Sequence, residues 1–265
     1  MIDIYSSYVQ ADIGAPLGSL TDASGRNFVT AEGGAVVSGM HPRRRTKTST
    51  PEPCLYFPSN ASRITVGGGS GAFNLGVDFT IEAMIWPYTP GIFGASTGTL
   101  TTDFSVIWAF GTAHQATLGY GLALLLNHTT GVIYLDSVTS TGSTLITFGS
   151  VVPNKYNHIE LCVNGNAALM FRDGVNVNSY SVSSFVGGWH AAAHTTMCLG
   201  NYAVDPDDII KSQCRAEINN VRFTQIARHA DPTLMFNPFL PELYYPPANQ
   251  FWTALAGCTT DGSYI

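Results

Sequence analysis

A two-residue rhythm runs through most of this chain. Phe79, Ile81, Ala83 and Ile85 interleave with Thr80, Glu82, Met84 and Trp86, which makes one side of the segment apolar and the other mixed. Successive side chains of an extended strand point to opposite faces, so this alternation predicts a strand of a sheet packed on one side. Phe104, Val106, Trp108 and Phe110 repeat the pattern, as do Ile159, Leu161 and Val163, then Leu169 and Phe171, and later Val221 and Phe223. Strands therefore follow one another at short intervals, and helices are expected to be nearly absent.

Turn chemistry fits the same picture. Asn164-Gly165 and Asp173-Gly174 each separate two alternating runs, where a type I′ turn needs the positive φ that Asn, Asp and Gly adopt at little cost. Two consecutive hairpins are predicted there. A third joins residues 122–126 to residues 132–135 through Asn127-His128-Thr129-Thr130-Gly131. Many antiparallel strands linked by Gly-rich turns point to an all-β fold, a two-sheet antiparallel jelly-roll sandwich. At 265 residues the chain is long for one core, which suggests one domain with extensions.

Those extensions lie at the ends. Residues 1–52 are broken by Gly14-Ala15-Pro16, Asp22-Ala23-Ser24-Gly25 and Gly33-Gly34 and read as an N-terminal arm with two short strands. The sandwich occupies residues 53–240. Residues 241–265 form a C-terminal arm, entered through Pro238 and Pro241 and interrupted by Pro246 and Pro247, which forbid a regular helix or a central strand. Its Tyr244, Tyr245, Phe251 and Trp252 are costly to leave in water, so it is expected to lie extended on its own sandwich or on another subunit. In the first arm, Arg43, Arg44, Arg45 and Lys47 hold four of the twelve basic residues. They read either as a solvated loop or as a contact with an acidic neighbouring subunit.

Three segments together resemble the laminin G-like, concanavalin A-like domains common in bacteriophage and other virion proteins. The first is Asn74-Leu75-Gly76-Val77-Asp78-Phe79-Thr80-Ile81-Glu82-Ala83, followed by Trp86-Pro87. The second is Asn157-His158-Ile159-Glu160-Leu161 with Leu169-Met170-Phe171-Arg172-Asp173-Gly174. The third is Val221-Arg222-Phe223-Thr224-Gln225-Ile226-Ala227-Arg228-His229, then Phe236-Asn237-Pro238. Tyr156 stands where the family usually has Trp, and His229 where it usually has Tyr. The resemblance covers residues 54–240, implies the jelly roll, and leaves both arms outside it.

Composition narrows the function. Charged residues make up 11% of the chain, against about 25% in an ordinary soluble domain. A surface of hydroxyls and amides loses less on burial than one of ions, and suits a subunit covered by neighbours. A net charge of -6 excludes general nucleic-acid binding through a basic field. No uncharged apolar run nears the roughly 18 residues that would cross a bilayer, so no membrane insertion is expected. Met1-Ile2-Asp3-Ile4-Tyr5 has none of the features of a secretory signal. The five cysteines are scattered and odd in number, which favours free thiols made in a reducing host cytoplasm.

The search for chemistry is mostly negative. A sandwich glycosidase needs two carboxylates flanking the sugar bond. No Glu-x-Asp-x-x-Glu run occurs, and Glu82 and Glu160, each alone in its strand, are expected as solvated outer-face carboxylates. No Gly-x-Ser-x-Gly elbow is present, and Gly67-Gly68-Gly69-Ser70-Gly71 reads as a flexible turn. His190, His194 and Cys198 have helical metal-ligand spacing, but an extended chain would scatter them. Calcium, which related rim loops often hold, is offered three acids by Asp205, Asp207 and Asp208; no cofactor is required. Trp189, preceded by Gly187 and Gly188, and Tyr88, at a strand end, are the candidate glycan contacts.

The leading expectation is thus a non-enzymatic structural component of a bacteriophage virion, a head decoration or tail-associated subunit assembling through its arms. Its partners would be other capsid or tail proteins, in a homo-oligomer for which three-fold closure is suggested by analogy. The alternative is a lectin-like receptor-binding or adhesin module, of a tail fibre or spike, that meets a host surface glycan; a glycoside hydrolase is least supported.

Overall fold

The computed structural model describes residues 9–14, 21–22, 28–42, 51–67, 75, 78–88, 103–111, 121–139, 142–153, 155–165, 167–181, 196–202 and 214–236. Their strands are β1 (Val9–Gly14), β2 (Thr21–Asp22), β3 (Phe28–Glu32), β4 (Val36–Pro42), β5 (Pro51–Tyr56), β6 (Arg63–Gly67), β7 (Asp78–Pro87) and β8 (Phe104–Gly111). They continue with β9 (Gly121–Asn127), β10 (Val132–Thr139), β11 (Gly142–Ser150), β12 (Asn157–Asn164), β13 (Ala167–Arg172), β14 (Val175–Ser181), β15 (Thr196–Gly200) and β16 (Ala216–Thr224). One sheet has nine strands, ordered β14-β13-β12-β7-β16-β1-β2, with β5 joining β16 and β4 joining β5. The other has seven, ordered β11-β10-β9-β8-β15-β6-β3. Every pairing between named strands is antiparallel, and the chain is a β-sandwich as its alternation predicted. Among the described residues no helix is long and apolar enough to cross a membrane.

The inward faces meet in one large core. The nine-stranded sheet contributes Phe79, Ile81, Ala83 and Ile85 from β7, Ile159, Leu161 and Val163 from β12, and Val221 and Phe223 from β16. The seven-stranded sheet answers with Trp108, Phe110, Leu122, Leu124, Leu126, Leu135 and Phe148. Phe223 bridges the layers, its ring 6.1 Å from that of Phe79 and 5.8 Å from that of Phe110. Burying such side chains contributes roughly 1.5–3 kcal/mol each.

All three predicted hairpins are present. Asp173 (φ 51°) and Gly174 (φ 79°) form the two-residue link between β13 and β14. Between β12 and β13 the loop starts one position later than expected: Asn164 still pairs with Ala167, and Gly165 (φ 51°) begins the turn. β9 and β10 are joined across Asn127 to Gly131.

Two parity readings change. β8 carries a bulge between Val106 and Trp108, so Phe104 and Val106 face a second cluster outside the sandwich while Ile107, Trp108 and Phe110 face the core. In β13 it is Ala168 and Met170 that point inward, and Leu169 and Phe171 that lie on the outer face with Cys162. In the N-terminal segment, β1 pairs with β16, β3 with β6 and β4 with β5.

Candidate functional site

The outer face of the nine-stranded sheet holds the polar residues that sequence alone left isolated. On β7, Thr80, Glu82, Met84 and Trp86 point away from the core. Glu82 faces Glu160 of β12 directly across the ladder, and Arg222 of β16 from the other side. Glu82 and Glu160 are 4% and 0% exposed, so the expectation of two solvated, solitary carboxylates is overturned.

What covers them is the chain after β16. Residues 225–236 fold back over the outer face and return to the β13–β14 turn, where the Phe236 amide donates to the Gly174 carbonyl (3.0 Å) and Val175 bridges Met235. Thr80 fixes the start of this strap, its hydroxyl donating to the Ile226 carbonyl (2.8 Å) and accepting from the Arg228 amide (2.9 Å). Arg228 Nη1 then lies 2.5 Å from Glu82 Oε1, and His158 Nε2 lies 3.1 Å from Glu82 Oε2. His229 Nδ1 reaches Glu160 Oε1 at 2.6 Å, and its ring stacks on Phe236 with centroids 3.8 Å apart. Phe236 also packs against Phe171 at 5.5 Å. The resemblance noted in the sequence thus falls on one physical device: its three motifs supply Glu82, His158 with Glu160, and Arg228 with His229.

Burial alone would push the Glu82 carboxyl up, but the guanidinium of Arg228, the hydrogen bond from His158 and the charge of Arg222 hold it well below the usual carboxylate range. The carboxylate is therefore a locked anion. Glu82, His158 and Glu160 place potential ligand atoms within 4.8 Å of one another, yet Arg228 and Arg222 both lie against Glu82 and His229 lies against Glu160. A divalent cation would add uncompensated positive charge to a dry site, so the trio does not suit one.

Beyond the strap the same face opens. Met84 is still buried, but Trp86 and Tyr88 are only half-buried. Trp86 sets its edge against the buried Tyr156 ring at 5.1 Å, so the aromatic position after β11 serves as a brace. Tyr88, a predicted glycan contact, donates its backbone amide to the Arg215 carbonyl (3.0 Å) and its hydroxyl to Glu217 Oε1 (3.2 Å). Burial, then the Glu217 charge, raise the Tyr88 phenol far above its ordinary value. Trp189, the acids Asp205, Asp207 and Asp208, and the arm residues Arg43, Arg44, Arg45, Lys47, Tyr244, Tyr245, Phe251 and Trp252 lie outside the described residues. So do His190 and His194, while Cys198 is buried in β15.

On the opposite sheet, Asp136 is fully buried and accepts from the Tyr202 hydroxyl at 2.8 Å, beside Phe104, Val106 and Leu125. Sequence reading missed this pair, because nothing in a lone Asp within β10 signals a tyrosine 66 residues away.

A scan against models of known protein families finds no match to the chain, and a search of curated proteins finds none either. Solved structures do share its fold. The binding domain of botulinum neurotoxin serotype G aligns with a TM-score of 0.59 at 11% identity, over 82% of this chain and 47% of that one. Domain 4 of AbnA, a GH43 extracellular arabinanase from Geobacillus stearothermophilus, solved in complex with arabinotriose, aligns with 0.55 at 14% identity, over 90% of this chain and 98% of that domain. Trypanosoma rangeli sialidase, in complex with 2,3-difluorosialic acid, aligns with 0.51 at 11% identity, over 83% of this chain and 31% of the enzyme. The chain spans about half the length of the neurotoxin binding domain. At these identities the likeness establishes the all-β sandwich.

Proposed function

We propose that this chain is a non-enzymatic carbohydrate-binding domain borne on a bacteriophage virion. The observation that carries the reading is the fate of its two facing carboxylates. A glycosidase must present such a pair to the sugar; here Glu82 and Glu160 are buried under residues 225–236 and bound to Arg228 and His229. Aromatic rings stay half-open on the same face, and rings with a few directed polar groups suit recognition of a sugar without turnover. Alignment over nearly all of an arabinotriose-bound domain supports a saccharide as ligand. The virion setting is supported by the family resemblance and by the low charge of the chain. A glycan array followed by calorimetry on each hit tests this. Binding with no reducing ends released is expected, and release of reducing ends at enzymatic rates would refute it.

A second reading, a structural head-decoration or tail-associated subunit joined to other virion proteins through its terminal segments, is favoured by a composition with 11% charged residues. Deleting residues 241–265 is then expected to abolish incorporation into particles while the sandwich keeps its melting temperature. Normal incorporation of the truncated chain would count against it.

A further inference from the structure

The half-open end of the outer face has a composition of its own. Trp86 of β7 lies directly across the ladder from Glu217 of β16, between Ala216 and Ile218, which point into the core. On β5 Leu55 points inward, so Cys54 and Tyr56 share the outward side. Cys54 Sγ donates to Glu217 Oε2 at 2.7 Å and the Tyr88 hydroxyl donates to Glu217 Oε1 at 3.2 Å. Glu217 is itself fully buried. Three rings, Trp86, Tyr88 and Tyr56, are therefore gathered around one sunken carboxylate, each half-buried.

We propose that Trp86, Tyr88 and Tyr56 form the saccharide platform of this domain, and that it takes a neutral oligosaccharide. The inference rests on the carbohydrate-binding reading above and names the site and ligand class for it. Rigidity is the first argument: Trp86 is braced by the Tyr156 ring and Tyr88 by Glu217, and a ring already fixed loses little freedom when a sugar stacks on it. Polarity is the second. The Tyr88 hydroxyl donates inward to Glu217, and a phenol oxygen that donates can also accept from a sugar hydroxyl. An acidic sugar stacked on these rings would bring its own carboxylate toward that of the buried Glu217, and like charges repel. Met84, the next outward position of β7, is 3% exposed and bounds the platform on one side.

The test is a titration of the full chain with arabinotriose, maltotriose, chitotriose, lactose and 3′-sialyllactose, followed by intrinsic tryptophan fluorescence and by ligand-observed NMR. At least one neutral sugar is expected to bind and to perturb tryptophan emission, with 3′-sialyllactose no tighter than lactose. Trp86→Ala is expected to weaken binding at least ten-fold and Tyr88→Phe several-fold, while Tyr134→Ala, on the opposite sheet, leaves it unchanged. Tyr88→Phe also takes a donor from the buried Glu217, so its melting temperature is expected to fall modestly, and an unchanged near-ultraviolet circular dichroism spectrum verifies that the sandwich is intact. Wild-type affinity in both Trp86→Ala and Tyr88→Phe would overturn the platform while leaving the carbohydrate reading intact. Absence of binding to all five sugars and to a glycan array would overturn both.

Discussion

Replacing Glu82 by glutamine leaves Arg228 and Arg222 against a neutral amide in a site from which water is excluded. Breaking a buried ion pair from one side costs about 3–5 kcal/mol, because the remaining charge keeps its desolvation penalty and loses its partner. Urea denaturation of Glu82→Gln should show an unfolding free energy lowered by that much, and an unchanged midpoint would mean the network is solvated. The pH dependence has a definite sign. Arg228, His158 and Arg222 outweigh burial and hold the Glu82 carboxyl below its usual range, so its stabilisation is complete above the unfolded-state pKa of about 4.3 and is lost as pH falls through the lower folded value. Between pH 5 and the acid transition the wild type should therefore lose stability more steeply than Glu82→Gln. A second single-residue prediction concerns Gly200, whose φ is 84° and whose added methyl would overlap the ring of the buried Phe57. Gly200→Ala should cost about 3 kcal/mol, combining strain at positive φ with overpacking.

Residues 225–236 are the element on which the outer face depends. Phe236 is the strap's far anchor, stacked on His229 and packed on Phe171. Phe236→Ala should remove about 2 kcal/mol of packing and raise amide exchange within residues 225–236 well above that of β7 and β12, because the strap can open without unfolding the sheets. Uniform loss of protection throughout the domain would show instead that strap and sandwich unfold as one unit. Elements also divide what the sequence revealed from what it hid. β7, β12 and β16 have one apolar and one mixed face, so their alternation identified the core side correctly. β8 and β13 carry apolar residues on both faces, and alternation there can fix the period but neither the bulge at Val106 nor the inward side. Glu82 and Glu160 looked solitary because register, not spacing along the chain, makes them neighbours: they are 78 positions apart and directly opposite. The strap shows no strand period at all, and only the order Arg228, His229, Phe236 in the family resemblance hinted that it belongs to the domain.

At the scale of the whole molecule the thiols report how often the sandwich opens. Among the described residues Cys54, Cys162, Cys198 and Cys214 are buried thiols. Burial pushes the Cys162 thiol up to about 12, with the Glu160 charge adding to it, and pushes Cys214 up to about 12 and Cys198 up to about 11. Attack on an aromatic disulfide reagent requires the thiolate and access to it, and both are denied in the folded state. Cys258 lies outside the described residues, so the measurement belongs in a Cys258→Ser background. There the native protein should react at a small fraction of the rate in guanidinium, where four thiols become available. Where opening and closing are fast relative to labelling, the native rate follows the population of the open form. A destabilisation of about 3 kcal/mol in Gly200→Ala should then accelerate labelling by about 100-fold, since each 1.4 kcal/mol is a factor of ten. Equal rates in the two proteins would place the reactive cysteine in a region that opens locally, without the sandwich, and rapid labelling of the parent would contradict the burial of these four side chains.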